Sequence, residues 1–314
     1  MPSSSVRAFT DPDEYAAAIR QSTYKITITR RGNYSAKLTR IDLPSLWMQR
    51  FSDNLPRIAS IDIPDDRAII AFLTQPGSSV VHDGVQYRAD KIARPGLEQT
   101  SYQQSSGPTQ YASMSLPVEQ MAALGPAVLG RDVMPAKNEA VFTPPPDAMA
   151  RLQRLHATAG QLAEGAPAVL THPEAARGLE QALVEAMMHC LSGGELHEER
   201  SAQRHHAAIM RRFEQTIQKN LDQPLYIPEL CREVGTSLRT LNDCCQEHLG
   251  MGPKHYLLLR RMHMVRRALR ESLPAEMTVT EIATRYGFWQ FGRLSVEYKA
   301  LFGETPSTTL ARPL

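Results

Sequence analysis

The sequence predicts an α+β protein with more than one domain, in which a β-sheet region precedes an all-helical region. Three observations support this prediction. The chain has 314 residues, which is enough for two domains. Short alternating or apolar runs typical of strands fill the first third of the chain. The last third contains an internal repeat of helical hairpins. A content of 42% hydrophobic and 22% charged residues is that of an ordinary globular chain.

Composition also excludes several classes of protein. The chain has 35 basic and 33 acidic residues, so its net charge is only +2. It contains no run of 18 apolar residues, and its first residues lack the apolar core of a signal peptide, so we expect neither a membrane span nor export. Four cysteines without a CxxC pair predict neither a disulfide framework nor a zinc site. We therefore expect a cytoplasmic protein without a metal or another cofactor.

Strand patterns dominate the N-terminal region. TYKITITR (23–30) alternates apolar and polar residues, and Asp83-Gly84 lies between strand-like flanks, which is a strong hairpin pattern. Closely spaced short strands of this kind indicate a barrel or sandwich, and helical patterns follow from about residue 117. The predicted boundaries are a first domain at 1–194 (β-barrel about 20–116, helices about 117–194), a linker at 195–206, and a second domain at 207–314 whose first helix begins near Ala207.

The second domain contains a duplication. Residues 228–231 align with residues 280–283 at an offset of 52, and the offset becomes 53 after one inserted residue. Each copy has the pattern of helix, glycine turn and second helix, at about 226–249 and about 278–302, which is typical of a helix-turn-helix unit. The glycines and prolines that end the elements match as well: Gly235 with Gly287, Gly250 with Gly303, and Pro253 with Pro306.

Local rules explain where these helices begin and end. Gly235 and Gly287 supply the left-handed residue at the turn, which glycine adopts without a steric penalty. Ser237 is placed to cap the second helix of the first unit. Thr278 and Glu281 form the T-x-x-E pattern of a capping box at the start of the second unit.

The second helix of each unit has a polar outer face. In the first unit we expect Leu238, Leu241 and Cys245 to face the core, with Cys244 as a buried apolar residue; in the second unit, we expect Leu294, Tyr298 and Leu301 to do so. The outer positions carry side-chain types that recognise base edges in the major groove, the alternative being a solvated polar surface. They are Arg239, Asn242, Asp243 and Gln246 in the first unit and Gln290, Gly292, Arg293, Val296 and Lys299 in the second.

One continuous helix is predicted between the two units, from Pro253 to about Ser272. At about 1.5 Å per residue it is roughly 27 Å long, and with the widths of the units this approaches the ~34 Å between successive major-groove openings on one face of a duplex. The run 254–270 contains six basic and no acidic residues, which indicates an anionic partner. The predicted phosphate ligands are Lys254, Arg260, Arg261, Arg266, Arg267 and Arg270, together with Lys299.

Residues 207–314 resemble the DNA-binding domain of AraC/XylS-type bacterial transcription regulators. The resemblance rests on ELCREVGTSLRTLNDCCQEHLGMGPKHYLLLRRMHMVRRAL and MTVTEIATRYGFWQFGRLSVEYKALFGETPS, and GFWQFGRLSVEY is most similar to the branch of XylS-like and ethanolamine-operon activators. It implies seven helices that place two helix-turn-helix units in adjacent major-groove segments. Asp243 and Thr309 depart from the family pattern, since many members carry a basic residue and an aromatic residue there. The positions implied to read bases are Arg239, Asn242 and Asp243, then Phe291, Gly292, Arg293 and Val296.

The N-terminal region is loosely similar to the sensor domain of that family, a cupin-like barrel with helices. The resemblance implies an effector site in the barrel and dimerisation through helices around 147–192. Residues that could line the effector pocket are Tyr24, Trp47, Arg50 and Tyr87. The expected dimer stripe is Leu179, Leu183, Ala186 and Met187, with packing on the chain's own barrel as the alternative.

The sequence therefore predicts a DNA-binding transcription regulator rather than an enzyme. His82 is the one histidine in residues 1–155 and we expect it to be exposed beside its hairpin turn, which leaves too few ligands for a metal site. The expected partners are double-stranded DNA, RNA polymerase, a second copy of the chain and a small-molecule effector, with action as an activator and no membrane contact. The alternatives are a regulator of the same fold without a small-molecule ligand, and a barrel enzyme with a helical accessory domain.

Overall fold

The computed structural model describes residues 2–20, 22–75, 77–97, 99–130, 140–192, 195–197, 201–220 and 225–312. The strands in this part of the chain are β1 (Ser3–Phe9), β2 (Thr23–Ile28), β3 (Ala36–Asp42), β4 (Trp47–Asp53), β5 (Arg57–Ile63), β6 (Arg67–Leu73), β7 (Ser79–His82), β8 (Val85–Arg88), β9 (Ile92–Arg94), β10 (Gln99–Ser105), β11 (Thr109–Pro117), β12 (Ala140–Thr143) and β13 (Glu195–His197).

The helices of the sheet domain are α1 (Pro12–Ala18), α2 (Val118–Leu124), α3 (Pro146–Gly165), α4 (Pro167–Thr171) and α5 (Pro173–Ser192), with a π-helical turn at Gly125–Leu129. The helices that follow are α6 (Ser201–Lys219), α7 (Ile227–Val234), α8 (Leu238–Leu249), α9 (Pro253–Glu271), α10 (Val279–Arg285), α11 (Phe291–Phe302) and α12 (Pro306–Leu310). The described part of the C-terminal region thus contains the seven helices that the resemblance implies.

The strands form two antiparallel sheets rather than the single barrel that the sequence predicts. The larger has the order β1-β3-β4-β11-β6-β9-β12-β13, and the smaller has the order β2-β5-β10-β7-β8. Apolar residues of both sheets share one core, so the sheets pack face to face. The predicted hairpin joins β7 to β8, where Asp83 and Gly84 both have positive φ, at 45° and 81°.

The larger sheet is covered on both faces, which explains why β6 is a continuous apolar run. Ile69, Ala71 and Leu73 point toward the smaller sheet, whereas Ile70 and Phe72 point toward α3 and α5. A strand buried on both faces has no polar side, so it lacks the alternation of a half-exposed strand. The resulting order is small sheet, large sheet and helical layer.

The predicted dimer stripe lies in this helical layer. Leu183, Ala186 and Met187 on α5 are each at most 1% exposed, and Leu179 packs against the same cluster. These side chains belong to the domain's own core, which is the alternative that the sequence left open. The hypothesis that they form a dimer contact is corrected accordingly.

The structure does not gather the four residues proposed for the effector pocket. Tyr24 stacks on Phe51 between the sheets, with ring centroids 6.3 Å apart. Trp47 lies at the rim, and its ring is held between the guanidinium groups of Arg20 and Arg67 at 3.6 and 3.7 Å. Tyr87 is buried in the same core as Tyr24.

Arg50 faces the helical layer instead, because it occupies the opposite parity on β4 from Trp47. Its Nη1 lies 2.9 Å from Nδ1 of His156 on α3, and burial lowers the pKa of His156 to about 3. The assignment of Arg50 to the interior of the sheets is therefore corrected. His82, expected to be exposed, is 3% exposed, because it lines the space between the sheets beside Tyr24 and its ring meets Tyr87 edge to face.

The helical domain begins earlier than the sequence predicts. The proposed linker at 195–206 contains β13, which pairs with β12, and the start of α6 at Ser201 rather than near Ala207. At the other end, Thr309 does not disrupt the last helix. It is buried, and its hydroxyl lies 2.9 Å from Oη of Tyr298, so a hydrogen bond replaces the packing of an aromatic ring.

The two domains share a core. Ile58 and Tyr102 of the small sheet pack in one cluster with Phe213 of α6 and with Leu241 of α8. The second helix-turn-helix unit has a separate core around Val265 and Tyr298. The sheet domain is thus docked on the first unit and on the side of α9.

Candidate nucleic-acid interface

The first helix-turn-helix unit forms as its local sequence predicts. α7 ends at Gly235, which has a φ of 69°, and its N–H donates to carbonyls in the last turn of that helix. Oγ of Ser237 accepts a hydrogen bond of 3.1 Å from the backbone N–H of Thr240, which caps α8. Leu241, Cys244 and Cys245 are fully buried behind α8. Leu238 is 48% exposed, so its assignment to the core is wrong: the buried side of α8 begins at Leu241.

The second unit repeats this arrangement with a capping box. Oγ1 of Thr278 accepts from the backbone N–H of Glu281 at 3.2 Å, and Oε2 of Glu281 accepts from the backbone N–H of Thr278 at 2.8 Å. The hydrogen bonds that the Glu281 carboxylate accepts from the backbone N–H and the hydroxyl of Thr278 lower its pKa. Gly287 has a φ of 74° at the turn, and α11 follows from Phe291.

Both second helices leave their outer faces open. Leu294, Tyr298 and Leu301 of α11 are buried, as the sequence predicts. Val296 is 70% exposed, and a Cβ at Gly292 would meet nothing within 4 Å. Arg293 is held by Glu297, with Nε and Oε1 2.8 Å apart. All nine residues predicted to read bases are exposed: Arg239, Asn242, Asp243, Gln246, Gln290, Phe291, Gly292, Arg293 and Val296.

α9 carries basic residues on two opposite faces. Lys254, Leu258 and Arg261 recur at helical spacing on one face, which lines a groove against α11. His263, Arg266 and Arg270 recur on the other, which meets the sheet domain. We call these the groove face and the docked face.

The docked face contacts α1 through a set of ion pairs. Nη1 of Arg266 lies 2.8 Å from Oδ2 of Asp11. Arg270 contacts the same carboxylate and also Oε1 of Glu14, at 3.1 Å. Arg267 pairs with Asp13. Oδ1 of Asp11 meanwhile accepts hydrogen bonds of 3.0 and 3.1 Å from the first backbone N–H groups of α1.

Electrostatics and burial act in opposite directions at this contact. Burial alone would raise the pKa of Asp11, but the hydrogen bond and the charge of Arg266, the α1 backbone and the charge of Arg270 outweigh it, so the pKa lies below its ordinary value of 3.8. On the neighbouring turn Nε2 of His263 donates to the carbonyl of Ile28 at 3.1 Å. Burial is the main reason that the pKa of His263 falls to about 4.

Arg260 is the most deeply buried of the predicted phosphate ligands. Its Nη1 lies 3.0 Å from both carboxylate oxygens of Glu214 on α6. The hydroxyl of Tyr102 on β10 donates to the same carboxylate. Burial, followed by the charge of Glu214, raises the pKa of Tyr102. The hypothesis that these arginines neutralise phosphates is therefore corrected, because each of them forms an ion pair with an acidic side chain of the protein: Arg260, Arg266, Arg267 and Arg270.

The groove face presents its cations to solvent. A groove of about 650 Å³ runs between α9 and α11, floored by Leu258, Phe288 and Leu294. Lys254 is exposed, and Lys299 is exposed farther along α11. Sequence reasoning did not select Trp289, which lines this groove and is 73% exposed. The sequence does contain an indication of this role. Trp289 lies between the turn glycine and a helix with a polar outer face, and it does not belong to the apolar stripe that is predicted to be buried.

Other kinds of site find no support in the described part of the chain. No cluster of three histidine, cysteine or acidic side chains there could hold a metal ion. No helix among the described residues has the length and apolar character needed to cross a membrane. Cys190, Cys244 and Cys245 are buried, and burial raises their pKa.

Comparisons with known proteins concern mainly the C-terminal domain. A family model described as a helix-turn-helix domain matches residues 230–312. The probable thc operon regulatory protein of Rhodococcus erythropolis is 39% identical over 102 residues, which cover 32% of this chain and 31% of that protein. The XylDLEGF operon transcriptional activator of Pseudomonas putida is 34% identical over 99 residues, with 32% and 31% covered. The chain thus matches about a third of the length of these curated relatives.

A likeness to a solved structure extends over more of the chain. The crystal structure of the AraC-like transcriptional activator CuxR covers 84% of this chain and 95% of its own, at 13% identity and a TM-score of 0.42.

Two helix-turn-helix units with exposed outer faces make the C-terminal region a DNA-binding domain of the transcription-regulator class, not an enzyme. This domain is thus similar to the DNA-binding domains of AraC/XylS-type regulators, as the sequence motifs predict.

Proposed function

We propose that the chain is a sequence-specific transcription regulator that reads two adjacent major-groove segments with α8 and α11. The observation that carries this proposal is the exposure of every predicted base-reading residue on two helices joined by α9. A helix-turn-helix unit places its second helix in the major groove, so two units on one continuous helix fit two successive openings.

The side chains define roles in this proposal. Arg239 and Arg293 match guanine, and Asn242 and Gln246 match adenine. Asp243 accepts from the amino group of cytosine. Gln290, just before α11, is a further polar reader. The remaining readers lie on α11, where an apolar or absent side chain allows close approach: Phe291, Gly292 and Val296.

Lys254, Arg261 and Lys299 remain the proposed phosphate ligands, because the described residues supply no acidic partner to any of them. Phosphate contacts set affinity and its salt dependence and contribute little to sequence preference.

Action as an activator with RNA polymerase also belongs to the proposal. It is supported by the relatives, several of which are named operon transcriptional activators. A homodimer is proposed on a surface other than the α5 stripe, which is buried. Val128 is 51% exposed beside a groove along the outer side of α5, which makes that side the best candidate surface.

The effector hypothesis takes a modified form. The cavity between the sheets beside Tyr24 is about 20 Å³, which holds about one water molecule. This filled interior argues against a ligand between the two sheets and favours the alternative of a regulator without a small-molecule ligand. A recess of about 620 Å³ opens at the rim beside Arg20, Trp47 and Asp62, and it is the proposed position for any small-molecule effector.

A footprint of the full chain on the DNA upstream of its own gene, at two salt concentrations, tests the main proposal. We expect protection of two adjacent major-groove segments that weakens steeply with salt. Arg293→Ala should cost about 1–3 kcal/mol at the cognate site and relax the preference at one base pair. Absence of protection by the full chain and by residues 201–314 would refute the proposal.

Gly292→Ala separates an effect on DNA binding from an effect on folding. The position is open, so alanine should leave the fold unchanged or stabilise it by up to about 1 kcal/mol. Its added methyl group should nevertheless weaken specific binding, since Gly292 lies where α11 is proposed to approach the bases. Unchanged affinity for the cognate site would count against that placement.

A further inference from the structure

The groove between α9 and α11 connects the two recognition helices. At one end Gly252 lies beside α8, since a Cβ there would be 3.3 Å from Oδ1 of Asn242. At the other end the groove is lined by Trp289 and Arg293 at the start of α11. Whatever occupies this groove therefore lies between the two proposed base-reading surfaces.

The groove is positively charged, and the described residues supply no acidic partner to its Arg261 or Lys254. Arg261 forms no ion pair with the described residues, and its buried Nε has no hydrogen-bond partner among them. Its guanidinium carbon lies 5.2 Å from the centre of the Phe288 ring, which fixes its orientation. Lys254 and His255 border the same groove, and its acid Glu297 is paired with Arg293.

Arg261 is half-buried without an acidic partner among the described residues, which costs free energy that a bound anion would offset. Burial lowers the pKa of Arg261, and the interaction with Tyr226 offsets only part of this effect. On the docked face of the same helix every arginine that approaches the sheet domain has a carboxylate. A half-buried guanidinium without an acid is the arrangement expected where an external anion completes the site.

Trp289 forms the outer wall of this site. Its side chain is 73% exposed, whereas its neighbour Phe288 is 9% exposed and packs in the core of the second unit. An exposed tryptophan beside a cationic groove offers a flat apolar surface to a partner that carries both charge and rings or sugars. The fold itself does not require it.

We propose that this groove is a phosphodiester site, which holds the stretch of DNA backbone that crosses between the two major-groove segments, with Arg261 on the phosphate and Trp289 against the adjoining sugar. The proposal rests on the proposed function, because it needs a duplex that spans both units. Charge complementarity selects a polyanion over a neutral ligand, and the position between α8 and α11 selects backbone rather than bases.

Tryptophan emission reports this site directly. The chain has two tryptophans, Trp47 and Trp289, so the difference between the spectra of the full chain and of Trp289→Phe isolates the groove. On titration with a mixed-sequence duplex of three helical turns at low salt, we expect a change in the Trp289 emission that added salt reverses. Trp289→Phe should lose this change and still bind.

The salt dependence provides the second readout. Arg261→Met keeps the apolar part of the side chain and should lower the slope of log K against log salt by about 0.9, the value for one phosphate contact. Arg267→Met on the docked face is the matched control and should leave the slope unchanged.

The outcomes separate this inference from the function on which it rests. Duplex binding with an unchanged slope in Arg261→Met and an unchanged Trp289 emission would overturn the groove site and leave the proposed function intact. Failure of the unmodified chain to bind any duplex would overturn both. A change of Trp289 emission with 4-phenylbutyrate but not with the duplex would assign the groove to a small organic acid, and would also overturn the proposal.

Discussion

Along α9 the groove face and the docked face differ in what lies opposite their cations. Arg261 on the groove face borders a solvent-filled groove that is also lined by the exposed Trp289. Arg266 and Arg270 on the docked face have the carboxylates of α1. Both faces come from one run of basic sequence. The comparison shows that composition identifies a basic helix, but that only the tertiary structure assigns each cation to a partner within the protein or outside it.

Among the variants that test this comparison, Glu214→Ala should lower the free energy of unfolding the most. Glu214→Ala leaves the guanidinium of Arg260 buried without its partner, and we expect a loss of about 3–5 kcal/mol in the free energy of unfolding, measured by urea denaturation of the full chain. Glu233→Ala, at an exposed acid on α7, is the control and should change it by less than about 0.5 kcal/mol.

Equal costs for Glu214→Ala and Glu233→Ala would show that Arg260 is not held by an internal acid. The double variant Glu214→Leu with Arg260→Met should recover much of the lost stability, since a buried pair replaced by apolar side chains of similar size is often neutral.

Asp11→Asn should have the next largest effect. Asparagine still caps α1, but it removes the charge that Arg266 and Arg270 share, at a cost of about 1–3 kcal/mol in the free energy of unfolding at neutral pH. The folded-state pKa of Asp11 lies below 3.8, so its contribution is present above that value and is lost as the pH falls through the folded-state pKa.

Urea denaturation at a series of pH values checks this expectation. The difference between the unmodified chain and Asp11→Asn should narrow as the pH falls below 3.8. Asp13→Asn, at a more exposed pair, should cost less than about 1 kcal/mol. A difference between Asp11→Asn and the unmodified chain that is independent of pH would contradict the ionic role of Asp11.

The docked face also contains a buried histidine. The pKa of buried His263 is about 4, so the unfolded chain binds a proton that the folded chain excludes as the pH falls from 6.5 toward 4. Stability should decrease across this range by up to about 1.4 kcal/mol per pH unit for this group. His263→Gln should reduce that slope, measured by urea denaturation at a series of pH values. An unchanged slope in His263→Gln would contradict the assignment.

The smallest expected effect is that of Arg267→Ala on DNA binding. Arg267 pairs with Asp13 near the surface, so its loss should cost at most about 1 kcal/mol of stability. Its removal should leave the affinity for a duplex within about twofold, whereas Lys254→Ala should lower the salt slope by about 0.9. Fluorescence anisotropy with a labelled duplex measures both. A larger loss of affinity in Arg267→Ala than in Lys254→Ala would contradict the assignment of DNA contacts to the groove face.

The sequence predicted the features that local physical rules determine. Gly235 at the turn, Ser237 at the cap and the Thr278–Glu281 box depend on residues within four positions of each other, and the structure contains each of them. The outer faces of α8 and α11 follow from helical periodicity alone. Most of the candidate DNA interface could therefore be derived without the fold.

The errors occurred where distant parts of the chain meet. Arg260 and Arg266 were misassigned because α6 and the sheet domain cover one side of α9, and no pattern within α9 indicates that cover. Arg50 was misplaced because a strand in a two-sided sheet gives no sign of which side is the interior. Leu238 was assigned by spacing to a core that ends before it.

Asp11 divides its two oxygens between two structures, since Oδ1 caps α1 and Oδ2 receives Arg266. Serine, threonine or asparagine at this position would keep the cap and lose the ion pair, and glutamate would keep the charge and lose the short geometry of the cap. Aspartate alone satisfies both demands. Positions 11 and 266 should therefore covary among related chains: where the arginine is replaced by a neutral residue, serine or asparagine should replace the aspartate more often.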